Sequence, residues 1–226
     1  MYRGQKNSVS PLEHKSFWPS ITGLGVTCDR CWKFYFYERD KLNKSVGVGY
    51  GKTFENQFMR FLRAKGVECE DGTDVNMNYP DIRILTPGGK AACYLELKYL
   101  TSPFLSVRKK VDPNRDCYEG SATLDCDEKL RAQRRLVENE IPEQTYYVYW
   151  LDYPCIKGVF YWEAESVYAY VDRVGGREFT RRAREGDFVE SYEGTRQVGH
   201  IEKVYVPLLQ MGPFKELMDE LRRRAV

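Results

Sequence analysis

The chain has 226 residues, and its 35 Lys plus Arg against 33 Asp plus Glu leave a formal net charge of +2, a balance that neither demands nor excludes nucleic acid as a partner. The length suits one compact domain, read here as a single unit over 1–226, and an aromatic content of 14% with 17 Tyr excludes a disordered chain, which lacks the apolar surface to offset its entropy. No apolar run approaches the roughly 20 residues of a membrane-spanning helix, and residues 1–20 carry charges and prolines where a secretory signal has an apolar core, so the expected setting is cytoplasmic, with no membrane partner.

The first 50 residues read as irregular up to a dense aromatic and basic stretch at 28–37 (CDRCWKFYFY), followed by a loop punctuated by Gly47, Gly49 and Gly51. Thr53 is the expected N-cap of a helix running to about Lys65, with Gly66 as its stop and Phe54, Phe58, Phe61 and Leu62 as its apolar stripe; Glu55 lies beside that stripe. Residues 81–85 (DIRIL) alternate like a strand, 86–90 (TPGGK) signal a hairpin, and 91–99 (AACYLELKY) read as the return strand. Along that strand Glu96 and Lys98 point to one face and Leu95, Leu97 and Tyr99 to the other. Residues 100–126 read as a long irregular excursion, and 127–140 as a helix closed by Pro142. Residues 145–151 (TYYVYWL) are the strongest β run; 159–162, 167–170 and 204–208 are further strand candidates, and 213–224 form an amphipathic helix.

A two-residue loop at Gly88 and Gly89 places Asp81 opposite Glu96 on one face of the hairpin, with Lys98 two residues further along. Two adjacent carboxylates are costly unless something neutralises them, and a hard divalent cation does so naturally. Such an ion polarises a phosphate oxygen and acidifies a bound water, while a nearby Lys orients that water. Glu55, from the preceding helix, is a candidate third acid. Each fragment alone is more often a solvated face than a site; the combination is more specific.

These residues resemble the PD-(D/E)xK nuclease superfamily: Pro80-Asp81, then fourteen intervening residues, then Glu96-Leu97-Lys98. More narrowly they are similar to its RecB-like exonuclease branch, which includes viral exonucleases and CRISPR-associated RecB-like nucleases. Residues 51–55 (GKTFE) match that branch's Gly-x-x-x-His/Glu motif, and 28–37 are similar to its cysteine-and-aromatic opening. The resemblance covers about residues 20–150, leaving 151–226 as an extension of the same domain. It implies an α/β, restriction-endonuclease-like core with a mixed central sheet flanked by helices, and metal-dependent hydrolysis of DNA, with magnesium or manganese as cofactor. By resemblance, Asp81 and Glu96 bind the metal with help from Glu55 and the backbone carbonyl of Leu97, and Lys98 positions the attacking water. DNA recombination, repair or viral DNA processing is the implied setting (host cytoplasm for a viral chain), with a homo-oligomer or a protein partner in such a complex. A site-specific or structure-specific endonuclease, and a non-catalytic nucleic-acid-binding module on the same scaffold, stay open.

The branch also carries a Gln-x-x-x-Tyr motif, for which Gln133 is the candidate, although Val137 stands at the Tyr position. Gln133 interrupts the apolar stripe of Leu130, Val137 and Ile141, so it needs a polar partner: a DNA phosphate, an active-site group, or nearby backbone. The basic clusters Arg108, Lys109, Lys110 and Arg131, Arg134 flank the candidate site in sequence and are the expected DNA contacts. Some relatives hold an iron–sulfur cluster through one early and three late cysteines, but only Cys155 follows Gln133 here. Cys28 and Cys31 with Cys117 and Cys126 form an alternative zinc or iron–sulfur set, against which free thiols are the favoured reading.

Overall fold

The computed structural model describes residues 47–74, 76–100, 122–152, 157–180, 188–192, 194–197, 202–207 and 210–225. Its centre is a mixed six-stranded sheet made of β1 (Cys69–Asp71), β2 (Ile82–Leu85), β3 (Ala91–Leu100), β5 (Thr145–Asp152), β6 (Lys157–Glu163) and β11 (Gly212–Pro213), in that spatial order. Neighbours run antiparallel except β3 and β5, which are parallel. A three-stranded sheet of β4 (Ala122–Asp125), β10 (Glu202–Val206) and β7 (Phe179–Thr180), and a hairpin of β8 (Phe188–Ser191) and β9 (Gly194–Gln197), complete the strands described. Four helices are described: α1 (Gly47–Ala64), α2 (Glu128–Asn139), α3 (Ala164–Arg173) and α4 (Phe214–Arg224).

Alternation along β3 and β5 divides the packing. Cys93, Leu95 and Leu97 of β3 and Tyr146 and Val148 of β5 share a core with Phe58, Met59 and Leu62 of α1 and Leu217, Met218 and Leu221 of α4. Tyr147, Tyr149 and Leu151 of β5 instead join Val167, Tyr168 and Val171 of α3 and the small β4–β10 sheet. Burying each such side chain contributes about 1.5–3 kcal/mol, so both faces of the parallel pair are held by apolar contact.

α1 starts earlier than its sequence suggests: Gly47, Gly49 and Gly51 lie inside the helix, and Thr53 is not its cap. Its end is as expected. Gly66 has φ +78°, Gly66 N–H donates to the Arg63 carbonyl at 3.0 Å and Val67 N–H to Leu62 at 3.0 Å, the closing pattern that favours Gly after a helix. At α2 the Asp127 carboxylate accepts from Leu130 N–H at 2.8 Å and caps the first turn.

The hairpin differs from expectation in its turn but not in its pairing. Gly89 N–H donates to the Thr86 carbonyl at 2.9 Å and Thr86 N–H to Lys90 at 2.8 Å, so the loop is three residues long, 87–89. Leu85 faces Ala91, but Ile84 faces Cys93, leaving Ala92 as an extra residue in β3. This bulge restores the register in which Ile82 pairs with Leu95, and Asp81 precedes that rung as Glu96 follows it. Residues 167–170, expected as a strand, are helical: Val167, Tyr168, Tyr170 and Val171 are buried at helical spacing along α3, which overrides their β preference.

Candidate active site

Asp81 is fixed by its backbone before its side chain acts. Gly72 N–H donates to the Asp81 carbonyl at 3.0 Å, and a side chain at Gly72 would collide with the Pro80 carbonyl, so only glycine lets the chain pass this close. The Asp81 carboxylate then turns across the hairpin, where Oδ2 accepts from the Leu97 N–H at 2.8 Å. Glu96 sits in the middle of β3, and pleating turns it away from the Leu95 and Leu97 side. Asp81 is 5% exposed and Glu96 1%, so both carboxylates have left water and need compensation from the protein.

That compensation comes from β3 and α2. Lys98 Nζ donates to Glu96 Oε1 at 2.5 Å. Lys129 and Gln133 lie one turn apart on α2 and reach the same pair: Gln133 Nε2 donates to Glu96 Oε2 at 2.6 Å, and Lys129 Nζ stands 3.4 Å from both Glu96 Oε1 and Asp81 Oδ1. Gln133 is itself oriented, because the Tyr147 hydroxyl donates to its Oε1 at 2.6 Å and the Tyr168 hydroxyl lies 3.4 Å beyond. With Oε1 of the amide occupied by a donor, its NH2 group faces Glu96.

Burial acts first on every charge in the cluster, and the partners decide the outcome. Burial pushes the Asp81 carboxyl upward and the Glu96 charge pushes it further, with Lys98 and Lys129 only partly offsetting them, so it lies well above the usual carboxylate range. For Glu96 burial also pushes upward, but Lys98, Lys129 and the Gln133 amide outweigh it and hold the carboxyl below its ordinary value. Burial disfavours the Lys98 ammonium, yet Glu96 and Asp81 hold its proton more firmly than water would. The two acids are therefore unlike: their surroundings favour the charged form of Glu96 and disfavour that of Asp81.

The other expected residues fall in different places. Glu55 is on α1, partly buried, with Lys52 at 3.3 Å; Lys52 also pairs with Asp71. Among the described residues no three His, Cys, Asp or Glu side chains gather into a metal-holding group, although the Glu55 charge is near enough to push the Asp81 carboxyl upward. Leu97 reaches the site through its N–H. Arg134 is clamped by Asp172 at 2.6 and 2.8 Å and by Glu138 at 2.7 Å. With Arg131, Cys126 and Arg177 it lines a cleft of about 420 Å³ between α2 and the end of α3. Cys126 is a buried free thiol pushed up to about 11 by burial, which disfavours the thiolate a metal needs. Cys28, Cys31, Cys117, Arg108, Lys109 and Lys110 lie outside the described residues.

Lys129, Tyr147 and Tyr168 were not anticipated. Lys129 was legible in principle, since it shares a helix face with Gln133 at i, i+4. Tyr147 stands beside Glu96 in the parallel β3–β5 register, a pairing that only the assembled sheet shows. Gln133 finds its polar partners in side chains, the Glu96 carboxylate and the Tyr147 hydroxyl.

Comparison of the chain with protein-family models and with curated proteins finds no match.

The donor set suits a hard divalent cation. Two carboxylates, Asp81 just before β2 and Glu96 of β3, present Oδ1 and Oε1 to one ammonium, at 3.4 Å from each, and oxygen donors of this kind are what magnesium and manganese select.

Proposed function

We propose that this chain is a magnesium- or manganese-dependent DNA nuclease of the PD-(D/E)xK type, with a restriction-endonuclease-like core of the RecB-like exonuclease branch. One observation carries the reading: two buried carboxylates, Asp81 just before β2 and Glu96 within the paired β3, converge beside a lysine that is hydrogen-bonded to Glu96 at 2.5 Å. Two desolvated acids side by side cost a fold stability even where lysines offset them, and such a costly cluster supports a site over a purely structural ion pair.

Asp81 and Glu96 would hold the metal, with the Leu97 carbonyl and Glu55, through water, as supplementary donors. The bound ion would supply Lewis-acid polarisation of the phosphate and a more acidic water. The chain's own groups do the rest. The Leu97 N–H holds Asp81 Oδ2, and the Tyr147–Gln133 relay holds Glu96 Oε2, so the remaining oxygens keep one direction. Lys98 remains charged beside Glu96 and orients the attacking water while stabilising negative charge that develops on the phosphate. Arg108, Lys109, Lys110 and Arg131 would contribute phosphate contacts; Arg134 has two acidic partners to leave first.

The test is a cleavage assay on linear and circular DNA, single- and double-stranded, with magnesium, manganese or chelator. Metal-dependent cleavage that needs a free end is the expected result; cleavage of circles would redirect the reading to an endonuclease. DNA binding with no metal-dependent cleavage would favour a non-catalytic module instead.

A further inference from the structure

Lys129 occupies a singular position in the cluster. Each carboxylate has one oxygen held by a fixed donor, Asp81 Oδ2 by the Leu97 N–H and Glu96 Oε2 by the Gln133 amide. The other two, Oδ1 and Oε1, face a common ammonium at 3.4 Å each. Among the described residues Lys98 is hydrogen-bonded to Glu96, from the same strand, whereas Lys129 bridges the pair from α2. Its side chain is 40% exposed, against 27% for Lys98, 6% for Asp81 and 1% for Glu96, so it is the most exposed of these four side chains.

The geometry points to Lys129 as an exchangeable counter-cation: it neutralises the Asp81–Glu96 pair in the metal-free protein and gives up that place when a divalent metal binds. This inference rests on the metal-dependent reading above and adds what sets the site's affinity. A magnesium ion approaches carboxylate oxygens to about 2.1 Å, closer than the ammonium stands, so the ion and Nζ cannot share the space between Oδ1 and Oε1. Metal binding is then a competition, weakened by the free energy that Lys129 contributes to the metal-free state. Once displaced, the ammonium stays tethered to the first turn of α2 at the mouth of the site.

Titration of the full-length chain with Mn2+ by calorimetry, for wild type, Lys129→Met and Lys129→Arg, tests this. Lys129→Met removes the competitor at similar length, and its Mn2+ affinity should rise about tenfold. Lys129→Arg keeps a permanent charge in a planar fork that holds both oxygens, and Mn2+ should bind it more weakly than wild type. In chelator Lys129→Met should melt below wild type, and Mn2+ should close the difference, which a packing defect would not allow. Should Lys129→Met fail to fold, the Arg variant decides alone: affinity equal to or above wild type overturns the exchange. Unchanged or weaker Mn2+ binding by a folded Lys129→Met overturns it too, leaving the nuclease reading standing. If wild type and variants all fail to bind Mn2+, both readings fall together.

Discussion

The two faces of the central sheet are made by the same two strands and do opposite things. Toward α1 and α4, Leu95, Leu97, Tyr146 and Val148 meet Phe58, Leu62 and Leu217 in a core without a buried charge. Toward α2 and α3, Glu96, Lys98 and Tyr147, which lie between them in sequence, join Gln133 and Lys129 in a polar chain that ends on Asp81. Strand pleating alone separates them, since neighbours in sequence lie on opposite sides. The apolar face supplies the stability with which the other face keeps two acids out of water. Charge is thus concentrated where a fold gains least from it, as expected of a site rather than of a scaffold.

The comparison breaks most clearly at adjacent positions. Leu95 is fully buried, and Leu95→Ala should lower unfolding free energy by about 2–5 kcal/mol through lost burial and a cavity, measured by urea denaturation. Glu96→Gln, the next residue, should cost less stability than that and still bring metal-dependent cleavage below detection. A smaller effect separates two tyrosines on the polar face. Tyr147→Phe leaves the buried Gln133 Oε1 without its donor and should cost about 1–3 kcal/mol, with weaker metal binding as Glu96 loses its orientation. Among the described residues the buried Tyr149 hydroxyl has no hydrogen-bond partner, so Tyr149→Phe should be neutral or slightly stabilising in the same denaturation experiment.

The smallest effect lies at the rim of the apolar face. The Glu220 carboxyl is held down to about 2, first by Arg223 and then by Arg224 and the Tyr146 hydroxyl, against the opposing effect of burial. A carboxyl whose folded value is depressed stabilises above its unfolded value and loses that contribution as pH falls through the folded one. The Glu220 contribution is therefore present above about 4.3 and fades between there and about 2. Glu220→Gln should lower the melting temperature slightly at neutral pH and by progressively less as pH falls through that window, so that the acid side of its profile is flatter than wild type's.

Much of the polar face was legible because alternation is a local signal: Glu96 and Lys98 had to share a side of any strand that runs from 91 to 100. The pairing with Asp81 was reached through a wrong turn, since the three-residue loop and the Ala92 bulge cancel in register. Lys129 and Tyr147 were not found, because their contacts to Glu96 and Gln133 cross from one element to another and no periodicity encodes which helix covers which face. Residues 167–170 misled for a local reason: Val and Tyr favour strands, and the helical spacing of α3 shows only over a longer window. Arg134 looked like a free cation in sequence; its bidentate partner Asp172 is on another helix.

The most direct measurement is cleavage of labelled linear DNA by purified wild type, Glu96→Ala and Lys98→Ala, each with Mg2+, with Mn2+ and with chelator, alongside circular dichroism of all three. Metal-dependent cleavage by wild type, and none by either folded variant, is the expected result. Undiminished cleavage by both folded variants would contradict the assignment of chemistry to this face of the sheet.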